Sequence, residues 1–305
     1  MLRKAKPLIG VDIGSTAIKA VELKEANGVH TVVAYGLEAT PEGGIVDGTI
    51  EDPVAIAAAL RRLFARHRTR TRGVAASVSG GGVFLKRISV PVMSDMELAA
   101  SIGWEVEQHI PLELEEVHFD YEPLVEPSAA GDTTEVLVVA ARRDKVARHN
   151  EAIQRAGRRA SVVDLAALAL QNVYAANHEI DATAIVALVD AGASTITAHV
   201  IRGSAMLFTR AVMATGNVAL DISTALDDFE RTMPGRLERI ALTGGGSKAT
   251  GLEGVLASHF GVHVESLDPF RRIVFDDGLF NVDRVAAGAT AAIAVGLALR
   301  RKGDR

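Results

Sequence analysis

From Leu8 to Leu23 the chain reads LIGVDIGSTAIKAVEL: an apolar run stops at Asp12, turns through Gly14, Ser15 and Thr16, and resumes as a second alternating run. A two-residue alternation predicts two strands joined as a hairpin. GVHTVVAYGL supplies a third strand, DPVAIAAALRRLFARH a helix starting at Asp52 and Pro53, and GVAASV another strand. The order then returns. AIVALV, DAGASTITAHV, SAMLFTRAV, NVALDISTALDDFERTM and RIALTGGGS read as three strands, a helix and a strand ending in glycines. Laying DIGSTAIKAV over DAGASTITAHV aligns Asp12 with Asp190, Gly14 with Gly192, Ile18 with Ile196 and Ala20 with Ala198. The pattern predicts an α/β chain of two duplicated domains, each a mixed sheet with helices against it, with a ligand cleft between them.

The interval from Gly82 to about Ala160 fits neither half. It alternates as strand VFLKRISVPV, helix MELAASIGWEVEQHI, strand VHFDYEPLV, polar turn EPSAAGD, strand TEVLVVAA and helix DKVARHNEAIQRAG. That predicts an inserted α+β subdomain entered through the glycines Gly80 to Gly82.

Composition narrows the class. At 305 residues, 48% hydrophobic and 23% charged, the chain reads as globular with about two cores. A net charge of −5 argues against general nucleic-acid binding. Zero cysteines exclude disulfides, thiolate metal sites and cysteine nucleophiles, and fit a cytosolic setting. Neither a signal peptide nor a membrane span is expected, since VAAGATAAIAVGLAL is short and rich in small residues.

The chemistry lies at strand ends. Two Asp-x-Gly turns and one TGGGS offer backbone N–H groups to phosphate oxygens, and glycine permits close approach or a left-handed turn. Asp12 and Asp190 repel phosphate directly and are expected to hold a hydrated Mg²⁺ between them. Lys19 adds a compensating charge, and Thr16 either donates to phosphate or satisfies its own turn. Single turns of this kind are common. It is their recurrence in duplicated order that points to a Mg–nucleotide site.

DIGSTAIKAVEL, LVDAGASTIT and ALTGGGSKATGL resemble the phosphate-1, phosphate-2 and adenosine loops of the actin, hexokinase and Hsp70-type ATPases. VFLKRISVPVMSDMELAASIGWEVEQHIPLELEEVHFDYEPL, EVLVVAARRDKV and AGRRASVVDLAALAL narrow the resemblance to the PilM family, FtsA-like proteins of type IV pilus assembly, over nearly the whole chain. The resemblance implies an actin-like (ribonuclease H-like) fold. It divides the chain into subdomain 1A (1–81, 161–180, 285–305), inserted subdomain 1C (82–160), subdomain 2A (181–210, 239–284) and a shortened 2B (211–238).

It also implies ATP with Mg²⁺ on Asp12, Gly14, Ser15, Thr16, Lys19, Asp190, Gly192, Ala193, Thr195, Gly244, Gly245, Gly246 and Ser247. Because 211–238 is short and lacks lysine, the base-side wall is expected to be cut down and nucleotide binding weak or lost.

The implied role is a cytoplasmic adaptor, peripheral to the inner membrane through its partner. It captures the N-terminal cytoplasmic peptide of a PilN-like inner-membrane protein in a groove between the first and inserted subdomains, among other pilus platform proteins. The strand from Val83 and the helix bearing Ile102, Val106 and Ile110 are the expected peptide contacts, although these apolar residues equally suit a core. Direct membrane insertion is not expected, and a homo-oligomer stays open. Turnover is not expected: Asp164, read as opening a helix near the crossing, is the one candidate base, and N-capping is its commoner use. A small-molecule kinase and an ATP-dependent FtsA-like filament are the alternatives.

Two surface runs stay unassigned. RRLFARHRTRTR holds six arginines and suits either a solvated helix end or an anionic lipid or acidic partner. ELEEVHFDYE is acidic. The nine histidines show no metal-binding spacing.

Overall fold

The computed structural model describes residues 7–46, 48–67, 69, 71–124, 132–279 and 282–303. Strands β1 (Ile9–Ile13), β2 (Ala17–Ala26) and β3 (Val29–Ala39) form an antiparallel meander, with Asn27 and Gly28 at positive φ making the tight second turn. A small hairpin, β4 (Ile45–Val46) and β5 (Thr49–Ile50), leads to helix α1 (Pro53–Arg66). Asp52 caps α1 by accepting from the N–H groups of Val54 and Ala55, and Pro53 follows where no donor is needed. Strand β6 (Gly73–Val78) then pairs parallel to β1.

The inserted subdomain follows: β7 (Val83–Pro91), α2 (Asp95–His109), β8 (Val117–Leu124) and β9 (Thr133–Arg142), the strands in the order β7-β9-β8. A capping box between Ser94 and Glu97 starts α2. The polar turn expected at 126–132 lies, up to residue 131, outside the described residues. The chain returns through α3 (Arg143–Arg155), β10 (Arg159–Leu165) and α4 (Ala166–Asn177).

The second half repeats the plan with β11 (Ile185–Ala191), β12 (Thr195–Arg202), β13 (Ala205–Met213), α5 (Val218–Thr232), β14 (Arg239–Thr243), α6 (Leu252–Phe260) and β15 (His263–Ser266). The first sheet is ordered β10-β6-β1-β2-β3 and the second β15-β14-β11-β12-β13, so the duplication extends to topology. Within this plan α5 occupies the place of α1, and its Ile222, Ala225, Leu226 and Phe229 share one apolar cluster with Ala187, Val189 and Val200. Strand β16 (Val274–Phe275), in a run expected to belong to the second domain, instead pairs with β3 at the edge of the first sheet.

Helix α7 (Arg284–Leu299) closes the fold. Together with α4 it contributes to a cluster that takes Val21, Leu23 and Val32 from the first sheet and Val186, Leu188 and Ile201 from the second, which joins the halves in one core. Gly10 lets α7 lie directly on β1: a Cβ there would stand 2.0 Å from the Ala294 carbonyl oxygen. Among the described residues no helix is long and apolar enough to cross a membrane.

Candidate functional site: an interdomain cleft and a partly buried apolar face

The β1–β2 and β11–β12 turns face each other across the cleft. In both, the glycine N–H closes the turn at 3.1 Å, Gly14 onto the Ala17 carbonyl and Gly192 onto that of Thr195. A Cβ on Gly192 would meet the Thr195 oxygen at 2.6 Å. The Ser194 hydroxyl donates to Ser15 Oγ at 3.2 Å, so the two turns touch. Behind the first turn, Thr40 donates through Oγ1 to the Gly14 carbonyl and through its N–H to that of Thr16.

Asp12 and Lys19 are direct partners in the β1–β2 ladder, and Lys19 Nζ donates to Asp12 Oδ2 at 3.0 Å. Burial works to lower the Lys19 pKa. Attraction and hydrogen bonding from Asp12, with the field of Asp190, outweigh it and leave the ammonium raised. Asp190 has Thr197 opposite instead. Burial, then repulsion from Asp12, push its carboxyl up to about 6 despite the opposing charge of Lys19. The third loop follows β14. Gly244, at φ 87°, passes so close to Asp190 that a Cβ would lie 2.6 Å from Oδ1. Gly245–Lys248 form a single 3-10 turn.

These loops bound a cavity of about 830 Å³. Asp12, Gly14, Ser15, Thr16, Lys19, Asp190, Gly192, Ala193, Thr195 and Gly244 to Gly246 all line it. Ser247 does not: its hydroxyl donates to the Gly244 carbonyl at 2.7 Å and closes its own turn. Asp164 also stays out of the cavity. It ends β10 rather than opening α4, accepts from the Leu165 N–H and pairs with Arg300 at 3.2 Å, while burial raises its pKa. The register that places Asp164 beside Ser77 continues the strand through the position read as a cap.

Sequence reasoning missed part of the lining. Val218 at the start of α5, Lys248 of the 3-10 turn, and Asp283 and Ala286 at the start of α7 bound the glycine-rich side. Lys248 stands within the quoted TGGGSK run, but Asp283 and Ala286 carry no sequence signal and arrive only through the docking of α7. His149 lines the other end, its pKa depressed to about 4 chiefly by burial.

The site fits a magnesium-bearing polyphosphate. Asp12, Lys19 and Asp190 line it together, and two glycines, Gly192 and Gly244, hold backbone where a Cβ would intrude. Asp12 and Asp190 are the residues that would hold the ion.

A second feature lies on the outer side of the first domain. Ile102, Val106 and Ile110 are buried with Ile88, Val136 and Val138 in the inserted subdomain's own core. The opposite face of its sheet, with Val83, Leu85, Leu137 and Val139, is only partly buried and packs against the core cluster that Val163 of β10 and Leu168 of α4 also border. β7 and β10 are both edge strands of their sheets.

The family described as type IV pilus assembly protein PilM matches residues 10–218 and 213–302. The chain belongs to the PilM family. It is also similar to a chain of the solved PilM–PilN type IV pilus biogenesis complex, at 27% identity and a TM-score of 0.83 over 97% of this chain and 98% of that one. The cytoplasmic domain of EpsL, an inner-membrane component of the type II secretion system of Vibrio cholerae, matches at 16% identity and a TM-score of 0.50, covering 78% of this chain and 82% of that one. A Bacteroides thetaiotaomicron protein with an actin-like ATPase fold and unknown function matches at 9% identity and a TM-score of 0.52, covering 97% of each chain. The fold of this PilM-family chain is therefore actin-like.

Proposed function

We propose that this protein is an actin-like adaptor of type IV pilus assembly that binds the N-terminal cytoplasmic peptide of a PilN-like inner-membrane protein at the membrane's cytoplasmic face. The observation that carries the reading is the end-to-end likeness to a chain of the pilus complex, inserted subdomain included. The partly buried apolar face supports it, because an extended peptide needs apolar contacts and a backbone edge, and Leu85 and Leu137 offer the first while β7 and β10 offer the second. We assign the peptide to a trough along this face, bordered by β7 and β10, the first domain to 1–81, 161–180 and 285–305, and the inserted one to 82–160.

Mg-ATP is the ligand assigned to the cleft. Asp12 and Asp190 take the hydrated ion, and Gly14 to Thr16, Gly192 to Thr195 and Gly244 to Gly246 take the phosphates. Support and positioning suit this cleft better than turnover, since Asp283, the remaining lining carboxylate among the described residues, caps α7 by accepting from the Val285 and Ala286 N–H groups.

Calorimetric titration with the partner's N-terminal peptide tests the reading. Saturable 1:1 binding, weakened at least tenfold by Leu137→Glu with the fold intact, is the expected result. Absence of binding both with and without Mg-ATP overturns it.

A further inference from the structure

Around the C-terminal ends of α1 and α3 and the starts of β6 and β10, one pole gathers arginines, of which Arg66 alone also lines the cleft. Arg61 and Arg66 lie on the second half of α1, Arg72 precedes β6, Arg155 ends α3 and Arg159 starts β10. All five are exposed. The pole is held rigidly: Arg159 N–H donates to the Arg72 carbonyl, Arg61 Nη1 to that of Arg155, and Arg158, stacked 4.9 Å over the Phe64 ring, donates to that of Thr69.

Helix C-termini attract cations, which accounts for Arg66 and Arg155. Glu38 pairs with Arg66 and Glu151 with Arg155. Neither explanation reaches Arg61, Arg72 or Arg159, for which no carboxylate lies at ion-pair distance among the described residues. The whole chain is net negative at −5, so the charge is segregated rather than general. The inserted subdomain carries the opposite sign through Asp95, Glu105, Glu107, Glu113, Glu115 and Glu116.

We propose that this arginine pole lies against the anionic phosphate headgroups of a lipid bilayer. The cations spread over the ends of several elements instead of converging on a pocket, an arrangement suited to a plane of phosphates rather than a single acidic segment. The free edge of β10, one flank of the trough, begins at Arg159. With the pole on the bilayer, a peptide lying along that edge reaches the membrane at its Arg159 end. The orientation rests on the trough assignment above; the headgroup contact does not.

Vesicle flotation of the full chain, with no peptide added, tests it. Phosphatidylglycerol-containing vesicles are expected to retain the protein at low salt, pure phosphatidylcholine vesicles are not, and high salt releases it. Arg72→Gln with Arg159→Gln weakens retention about 25-fold, at about fivefold per arginine, while Lys86→Gln on the inserted subdomain leaves it unchanged. Arg61→Gln on the exposed face of α1 is the second variant should the double one fold poorly. The proposal is overturned by equal retention on neutral vesicles, by failure to bind anionic ones, by unaltered retention of the folded variants, or by equally tight capture on a polyglutamate column, which assigns the pole to an acidic protein. Peptide titration reports separately on the trough.

Discussion

Lys19 Nζ lies 3.0 Å from Asp12 Oδ2, directly across the β1–β2 ladder, while the same register in the second half sets Asp190 opposite Thr197. The duplication therefore kept both carboxylates but only one lysine.

The first prediction concerns Asp190. Its folded pKa of about 6 exceeds the ordinary aspartate value of about 3.9, so between those values the native state binds more protons than the unfolded one. This group's contribution is most favourable at low pH and declines as pH rises through about 6. Asp190→Asn should raise the stability of the ligand-free chain at pH 7 by about 1–2 kcal/mol and change it little near pH 4. Thermal melts at both pH values decide the point, and a lower melting temperature for the variant at neutral pH contradicts it.

Two buried histidines act in the opposite sense. Burial depresses His199, bonded through Nδ1 to Thr209 Oγ1 at 2.7 Å, to about 3, and His149 to about 4. Free histidine titrates near 6.5, so the unfolded chain takes up these protons first. Stability from both groups is whole above about pH 6.5 and is lost as pH falls toward 4. His199→Gln should flatten the slope of unfolding free energy between about pH 6 and 4 by about one proton, read from denaturant titrations across that range.

Glycine spacing in α7 separates tight contact from open space. A Cβ at Gly296 would stand 1.8 Å from the Ala169 carbonyl oxygen of α4, whereas at Gly288 the nearest atoms, in Pro269 and Asp268, are 3.6 and 3.7 Å away. Gly296→Ala should destabilise by about 3 kcal/mol or more through backbone displacement. Gly288→Ala should be neutral or stabilise by up to about 1 kcal/mol through helix propensity. Equal melting temperatures for the two variants would refute the packing argument.

Lys145, buried at the start of α3, donates through Nζ to the carbonyls of Gly48 and Ser79 at 2.9 and 2.7 Å. It ties the β4–β5 hairpin and the chain's entry into the inserted subdomain to the helix by which the chain leaves it. Lys145→Met leaves those carbonyls short of a donor and should cost about 1–3 kcal/mol. Faster amide exchange at Ser79 to Val83 is the accompanying signature; unchanged protection there would show that the lysine does not hold the entry.

Most of this architecture could be read from local signals. Period-two runs located the strands, Asp52-Pro53 started α1, and the recurrence of Asp-x-Gly disclosed the repeat. Where local signals are ambiguous the reading failed: Asp164 has the residue type of a cap, but pairing with β6 extends the strand past it. Ser247 sits in a phosphate-loop pattern, yet its hydroxyl is taken by its own turn. Gly288 and Gly296 look alike in sequence and differ only in whether another backbone approaches.

The residues alone determined the duplicated plan, the inserted subdomain and the paired aspartate turns, because alternation and glycine placement act within a few residues. Only the tertiary structure decided that Lys19 bonds Asp12 and not Asp190, that α7 and α4 weld the two sheets into one core, and that β16 crosses to the first sheet. Those outcomes depend on contacts between distant segments, whose strength depends on burial and distance rather than on sequence spacing.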